Sequence, residues 1–296
     1  MILSKQIIIY YILAILFFST VLLWSFIFSR SPASVLNSLE KGKTKVVFFD
    51  VGQGNSVFIK APNGNQVLID GGPGSQVLGK LGEQMPFFDR EIDVVILTHP
   101  DADHLNGLID VLKNYQVDEV IDTCIEDPGK GYMEWKKLIE EKKINHLCAQ
   151  AGQKIKLADN VELDVLFPFV SLEGLKFSNT NDSSIVMELV SNDSEILLTG
   201  DAEVKTEYQL INSGINLRAQ ILQVGHHGSK SSSSQEFLEA INPEMAVIQV
   251  GANNRYGHPV QEVLDRLKSI SAKIFRTDES GNLEFLCGKN KCAIIE

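Results

Sequence analysis

The chain has no excess of basic residues: 27 Lys and Arg stand against 38 Asp and Glu over 296 residues, a formal net charge of −11 at pH 7. A protein that grips long duplex DNA by neutralising phosphates normally carries a basic surface, and none is visible in this sequence. The pairs Lys136-Lys137 and Lys142-Lys143 fall in one amphipathic segment and read as a solvated helix face. The chain also lacks a short-period repeat, which excludes a solenoid. It lacks low-complexity sequence beyond Ser231 to Ser234, which reads as a loop. Charge of either sign is missing from Ile7 to Phe28. Those 22 residues, at about 1.5 Å each, reach roughly 33 Å, enough for a bilayer core. The segment shows no polar face. It is longer than the apolar part of a cleaved signal peptide, and Phe26-Ile27-Phe28-Ser29 offers no small-x-small cleavage site. The expectation is an N-terminal transmembrane helix within residues 1–30, touching the lipid bilayer through 7–28, then a linker over 31–43 and a folded domain over 44–296.

Four cysteines permit three pairings. Cys287 and Cys292 flank Gly288-Lys289-Asn290-Lys291 like two arms of a hairpin, and Cys124 and Cys148 each end a predicted strand. Local geometry thus suggests 287 with 292 and 124 with 148, and an oxidising exterior; four unpaired, partly buried thiols are the alternative. Lys5 precedes the apolar run and Arg30, Lys41, Lys43 and Lys45 follow it, a count that would keep the domain inside. Long following domains translocate largely regardless of charge, so the expectation is a single-pass cell-membrane protein with its large domain extracytoplasmic.

Lys45 to Asp50, Ser56 to Lys60 and Gln66 to Asp70 read as three antiparallel strands, the last two joined by the turn Pro62-Asn63-Gly64-Asn65. From Ile92 strands and helices alternate up to Cys148, a second set of close-set strands covers 154–199, and alternation returns to the C-terminus. The architecture occurs twice. Two mixed sheets packed face to face with helices outside would bury such strands, giving an α/β fold of the αββα sandwich type.

Chemistry concentrates in Thr98-His99-Pro100-Asp101-Ala102-Asp103-His104, which directly follows the apolar run Ile92 to Leu97. Imidazole and carboxylate are ligands that Zn²⁺, Mn²⁺ and Fe²⁺ share, and so many together need a cation. A polar loop capped by Asp101 or Asp103 would need one carboxylate and no histidine. Other polar residues also stand at strand ends: Asp50 after Val46 to Phe49, Asp70 after Val67 to Ile69, Asp201 after Ile196 to Gly200, His226 and His227 after Ile221 to Gly225. Sheets with one loaded edge are how α/β proteins build sites. Taken singly, Asp201 reads as a helix cap and either histidine as a satisfied core residue; their conjunction favours a site. His146 lies outside these motifs and reads as structural.

Asp50-Val51-Gly52-Gln53-Gly54-Asn55, Leu68-Ile69-Asp70-Gly71-Gly72, Thr98 to His104, Thr199-Gly200-Asp201, Val224 to Ser229 and Tyr256-Gly257-His258-Pro259 together resemble the metallo-β-lactamase superfamily. More closely, they resemble the ComEC-type hydrolase domain of DNA-uptake competence proteins, from about Val46 to the C-terminus. That resemblance implies a dinuclear site for two divalent metal ions, Zn or Mn. His99 and Asp101 would bind one metal, Asp103 and His104 the other; Asp201 would bridge, and one of His226 and His227 would complete the second site. Asp103 would also orient the attacking water, and His258 would protonate the leaving oxygen or bind phosphate. Asp50, Gln53, Asp70, Asn181 and Ser229 would support the ligands or touch substrate. Two departures stand out: Asn55 replaces the usual Asp, and Asn179 to Ser183 occupies the place where many members carry a further histidine. The implied function is a membrane-tethered two-metal phosphodiesterase or nuclease, with DNA as substrate and a separate channel protein as partner. Alternatives are a hydrolase of small or cell-surface phosphoesters such as phosphocholine, and a non-catalytic metal-binding accessory subunit.

Overall fold

A computed structural model describes residues 5–29, 40–289 and 291–295, in two compact units, Met1–Lys41 and Gly42–Glu296. In the first unit, helix α1 runs Lys5–Ser29. The expectation of a transmembrane anchor is corrected here, because among the described residues no helix is long and apolar enough to cross a membrane. The lipid bilayer as a partner, and the single-pass, extracytoplasmic placement, rested on that helix and are corrected with it. The linker expected over 31–43 falls largely outside the described residues.

In the second unit, β1 (Thr44–Phe48), β2 (Val57–Lys60) and β3 (Gln66–Ile69) form an antiparallel run, after which α2 (Gln76–Gln84) leads into parallel strands. These are β4 (Glu91–Ile96), β5 (Gln116–Asp122) and β6 (Asn145–Cys148), connected by α3 (Ala102–Asn114) and α4 (Lys130–Lys142). The second set comprises β7 (Lys154–Ala158), β8 (Val161–Phe167), β9 (Val186–Ser191), β10 (Ser194–Leu198), β11 (Ile221–Gln223), β12 (Met245–Ile248) and β13 (Lys273–Arg276). Helices α5 (Val204–Ser213), α6 (Gln235–Ile241) and α7 (Gln261–Ser269) connect its parallel members. Finally β14 (Leu283–Cys287) and β15 (Cys292–Ile295) return to the first sheet, whose order is β15-β14-β1-β2-β3-β4-β5-β6; the second sheet runs β13 through β7 in descending order.

Three apolar layers explain the sequence pattern. Side chains alternate across a strand, so Val46 and Phe48 join Ile59, Ile96, Leu163, Met187 and Leu198 between the sheets, while Val47 and Phe49 pack with Leu68, Leu97, Leu108 and Trp135 under the first helical layer. Leu197, Leu222, Phe237 and Leu267 form the matching layer on the second sheet. Strands buried on both faces read as continuous apolar runs rather than alternating ones. Two mixed sheets flanked by helices are therefore the architecture, as the strand pattern leads one to expect.

One half-buried carboxylate works against the fold. Glu188 on β9 faces Asp164 across the strand pair and leaves Oε1 without a hydrogen-bond partner. Burial, then the charges of Glu195 and Asp164, push its carboxyl up to about 7. The unfolded chain ionises near 4.5, so stability falls as pH rises from there to about 7 and stays reduced above it. Glu188→Gln is expected to raise stability at pH 8 by about 1–2 kcal/mol, after discounting for solvent screening, and to do nothing at pH 4. Thermal melts at the two pH values check this.

Candidate metal centre

The loaded edge lies at the C-terminal ends of β3, β4, β10 and β11. Asp70 ends β3 in left-handed backbone (φ 57°). Its Oδ1 accepts from the Thr98 backbone N–H at 2.8 Å, and its Oδ2 accepts from the Thr98 hydroxyl at 2.8 Å and from His104 Nδ1 at 2.7 Å. Helix α3 can bring His104 so close because Gly107 lets its backbone meet the Asp70-Gly71-Gly72 turn; a Cβ there would lie 1.8 Å from the Gly71 carbonyl oxygen.

Each of three imidazoles turns its Nδ1 outward. His104 Nδ1 donates to Asp70, His227 Nδ1 donates to the Gln249 carbonyl at 2.8 Å, and His99 Nδ1 lies 3.1 Å from the Thr98 hydroxyl and 3.3 Å from that of Ser184. Their Nε2 atoms converge. All three rings are buried, and Nε2 of His99 and of His104 have no hydrogen-bond partner. Buried polar atoms are ordinarily satisfied, so two orphaned, inward-facing nitrogens mark a place for an electrophile.

Asp201 sits between them. Its Oδ1 lies 3.3 Å from His104 Nε2 and accepts from Asn55 Nδ2 at 3.3 Å, while its Oδ2 lies 3.5 Å from His227 Nε2. Asp103 Oδ2 is 3.2 Å from His227 Nε2. Two groups of donors result, His99–His104–Asp201 and Asp103–His104–His227, each with its ligand atoms within 4.8 Å of one another. They share His104, and their imidazole and carboxylate donors suit two divalent ions. Electrostatics agree. Burial opposes ionisation of Asp201, yet the His227 and His104 imidazoles hold its carboxyl well below the usual range. Burial likewise opposes, but the His227 hydrogen bond and the His104 charge outweigh it to hold Asp103 at about 2. Both carboxylates are thus ionised at any working pH.

Two expected ligands, Asp101 and His226, are placed differently, and His258 keeps to the edge of the site. Asp101 belongs to neither group: its carboxylate is 43% exposed, 3.9 Å from His99 Nε2, and accepts from the Thr180 hydroxyl. His226, beside His227 and also left-handed (φ 48° and 55°), directs Nδ1 at Glu203 Oε1, 3.0 Å away, and at the Ser231 hydroxyl, 3.1 Å away. Its Nε2 is 3.9 Å from Asp201, so His227 is the member of the pair that converges with the other donors. His258 lies at the rim, its ring 5.8 Å from that of His226 and stacked on Tyr256 at 5.9 Å, with Nδ1 unpartnered. Burial, then the nearby His226 and His227, lower its pKa.

The supporting residues also divide. Asp50 is spent on its own turn, accepting from Gly52 N–H at 3.2 Å. Gln53 Oε1 accepts from Gly251 N–H at 3.3 Å and lines a cavity of about 450 Å³ with Pro73, Ala102, Asp103, Asn254, Arg255 and Tyr256. Asn181 Nδ2 donates to Glu203 at 3.3 Å. Ser229 bonds to Ser231 at 3.1 Å in a loop that is buried rather than free, since Glu207 accepts from the N–H groups of Ser233 and Ser234 and the Ser232 hydroxyl donates to Gly225 at 2.7 Å. Glu203 and Arg255 escaped the sequence reading; the only signal for Glu203 is its place two residues after Asp201.

A family model for the metallo-beta-lactamase superfamily matches residues 49–251. The chain belongs to the metallo-beta-lactamase superfamily. Among superfamily relatives, it is 33% identical to ComE operon protein 3 of Bacillus subtilis (strain 168) over 215 residues, 69% of this chain and 26% of that protein. It is 34% identical to competence protein ComA of Neisseria gonorrhoeae over 201 residues, 68% of this chain and 26% of that protein. The chain thus spans about a quarter of the length of these curated relatives. The metallo-beta-lactamase fold protein YhfI of Bacillus subtilis superposes with a TM-score of 0.55 at 14% identity, over 82% of this chain and 99% of that one. Membership of the superfamily, joined to the two donor groups, makes this a metal-dependent hydrolase.

Proposed function

We propose that this hydrolase is a two-metal phosphodiesterase acting on nucleic acid strands. The observation that carries the reading is the convergence of three imidazole Nε2 atoms on the two-faced Asp201 carboxylate, beside a cavity bordered by Asp103, Arg255 and Tyr256. Bound divalent cations supply ionised water at neutral pH and positive charge for phosphoryl oxygens. His99, His104, Asp201, Asp103 and His227 would hold them. Asp103 borders both the donor groups and the cavity, a position suited to orienting water. Arg255, over the Tyr256 ring at 5.0 Å, lines that cavity and brings a cation for phosphate to it. His258, at the rim with a free Nδ1, is placed to serve the leaving oxygen. The competence name of one relative and the resemblance of the motifs to a DNA-uptake hydrolase domain support a phosphodiester substrate.

One observation favours a second reading, a hydrolase of small phosphoesters: the net charge of −11 leaves little to hold a polyanion. Purified protein loaded with Mn²⁺ or Zn²⁺ is assayed on single-stranded DNA, bis-p-nitrophenyl phosphate and phosphocholine. Cleavage of DNA and the diester, abolished by chelation, is expected. Turnover of phosphocholine alone selects the second reading, and no turnover by fully loaded protein rejects both.

A further inference from the structure

Away from Asp201, the ends of β5 and the edge strand β6 gather another set of donors. Asp122 and Cys148 are register partners across the parallel pair. His146 precedes Cys148 by two residues and so shares its face, while Cys124 follows Asp122 by two and is turned by left-handed backbone (φ 53°). His146 Nε2 lies 3.1 Å from Asp122 Oδ1 and 3.8 Å from Cys124 Sγ, and ligand atoms of the three residues fall within 4.8 Å of one another. Cys124 and Cys148 are joined as a disulfide. The geometry points to a separate metal site made of Cys124, Cys148, His146 and Asp122, which the protein assembles when this disulfide is reduced.

The distances suit a small tetrahedral ion. Ligand bonds of about 2.3 Å to sulfur and about 2.0 Å to nitrogen and oxygen separate sulfur from nitrogen by roughly 3.6 Å and nitrogen from oxygen by roughly 3.3 Å. The observed 3.8 and 3.1 Å are already close to that. Only the two sulfurs must part. The carboxylate is held in place, its Oδ2 accepting from Trp135 Nε1 at 2.8 Å and its Oδ1 from the Cys124 N–H at 2.7 Å. The mouth is open, because the His146 side chain is 29% exposed and both sulfurs belong to half-buried residues. Two thiolates, an imidazole and a carboxylate suit Zn²⁺ and its spectroscopic substitute Co²⁺.

The chemistry balances with a dithiol as reductant. One thiolate of the reductant attacks a sulfur of the Cys124–Cys148 bond, and its second thiol resolves the mixed disulfide. The reductant leaves as a disulfide, and two S–H groups form on the protein. A divalent ion then displaces both thiol protons to solvent. Disulfide and metal exclude one another. The other disulfide, Cys287–Cys292, is fully buried and is part of no such donor cluster among the described residues, so it serves as an internal control.

The test uses the full chain, reduced, desalted without oxygen, confirmed folded by circular dichroism and titrated with Co²⁺. The site around Asp201 holds no sulfur donor, so a sulfur-to-cobalt charge-transfer band reports on this site alone. The band is expected to saturate in reduced protein at the amplitude of one cobalt–thiolate site per chain, once the equivalents taken up around Asp201 are also met, and to be absent from oxidised protein. It should persist in the Cys287→Ser/Cys292→Ser variant and vanish in Cys124→Ser/Cys148→Ser, and His146→Ala should weaken binding at least about tenfold. A reduced, folded protein without the band, a band that survives Cys124→Ser/Cys148→Ser, or loss of the fold on reduction alone overturns the proposal; the last would make the pair a structural staple.

Discussion

Asp201→Ala is expected to remove both metal equivalents and to lower kcat/KM by about a thousandfold or more, roughly 4 kcal/mol of transition-state stabilisation. The reason is geometric. Asp201 Oδ1 faces His104 and Oδ2 faces His227, so one side chain serves both donor groups. Asp101, three residues before His104 in the same motif, serves neither. Its replacement by Ala should therefore cost far less, within about tenfold, through loss of the Thr180 contact. Elemental analysis of protein confirmed folded by circular dichroism, set beside steady-state rates, checks both variants. An Asp201→Ala protein that keeps one tightly bound ion and a tenth of its activity would show that Asp201 does not serve both donor groups.

How far the site could be read from sequence depended on what kind of information each residue needed. Asp70, His99, Asp201 and the His226-His227 pair each end an apolar run, and a strand that delivers a polar side chain at a sheet edge announces itself by that abrupt change. The two sheets were legible for the same reason, since the runs Val46 to Phe49 and Ile196 to Leu198 are buried on both faces. Helix α2 was not, because Gly79 and Gly82 weaken its pattern.

Choosing among neighbours required tertiary partners. His226 and His227 have almost the same backbone, and only the Gln249 carbonyl under one and Glu203 beside the other assign their directions. Asp101 and Asp103 likewise differ through the helix start between them: Asp101 is extended (φ −67°, ψ 147°) and turns out to Thr180, whereas Asp103 enters the first helical turn and turns in. The transmembrane expectation failed differently, resting on an absence of charge and on no contact at all.

Asp70 gives the sharpest test of how much the surrounding hydrogen bonds matter, because it touches neither donor group's Nε2 atoms. Its Oδ2 accepts hydrogen bonds from both the Thr98 hydroxyl and His104 Nδ1. Asp70→Asn keeps the shape but places an amide NH₂ or a single carbonyl there, and one amide cannot accept from the Thr98 N–H, the Thr98 hydroxyl and His104 as two carboxylate oxygens do. With an NH₂ facing Nδ1, the imidazole must carry its proton on Nε2, the atom shared by both groups. Metal affinity is expected to fall about 100-fold, the upper end for loss of such a partner, or roughly 2.7 kcal/mol. A second effect appears in metal-free protein. Burial opposes protonation of His104, but Asp201 and Asp70 hold its pKa well above 6.5, so the pairing stabilises the fold below pH 6.5 and the contribution fades as pH climbs through the raised value. Metal-free Asp70→Asn should therefore lose most stability at pH 6 and progressively less at higher pH. Chelator-competition titrations and urea melts across that range measure the two effects independently. Affinity within threefold of the parent, together with a pH-independent loss of stability, would reduce Asp70 to a structural residue.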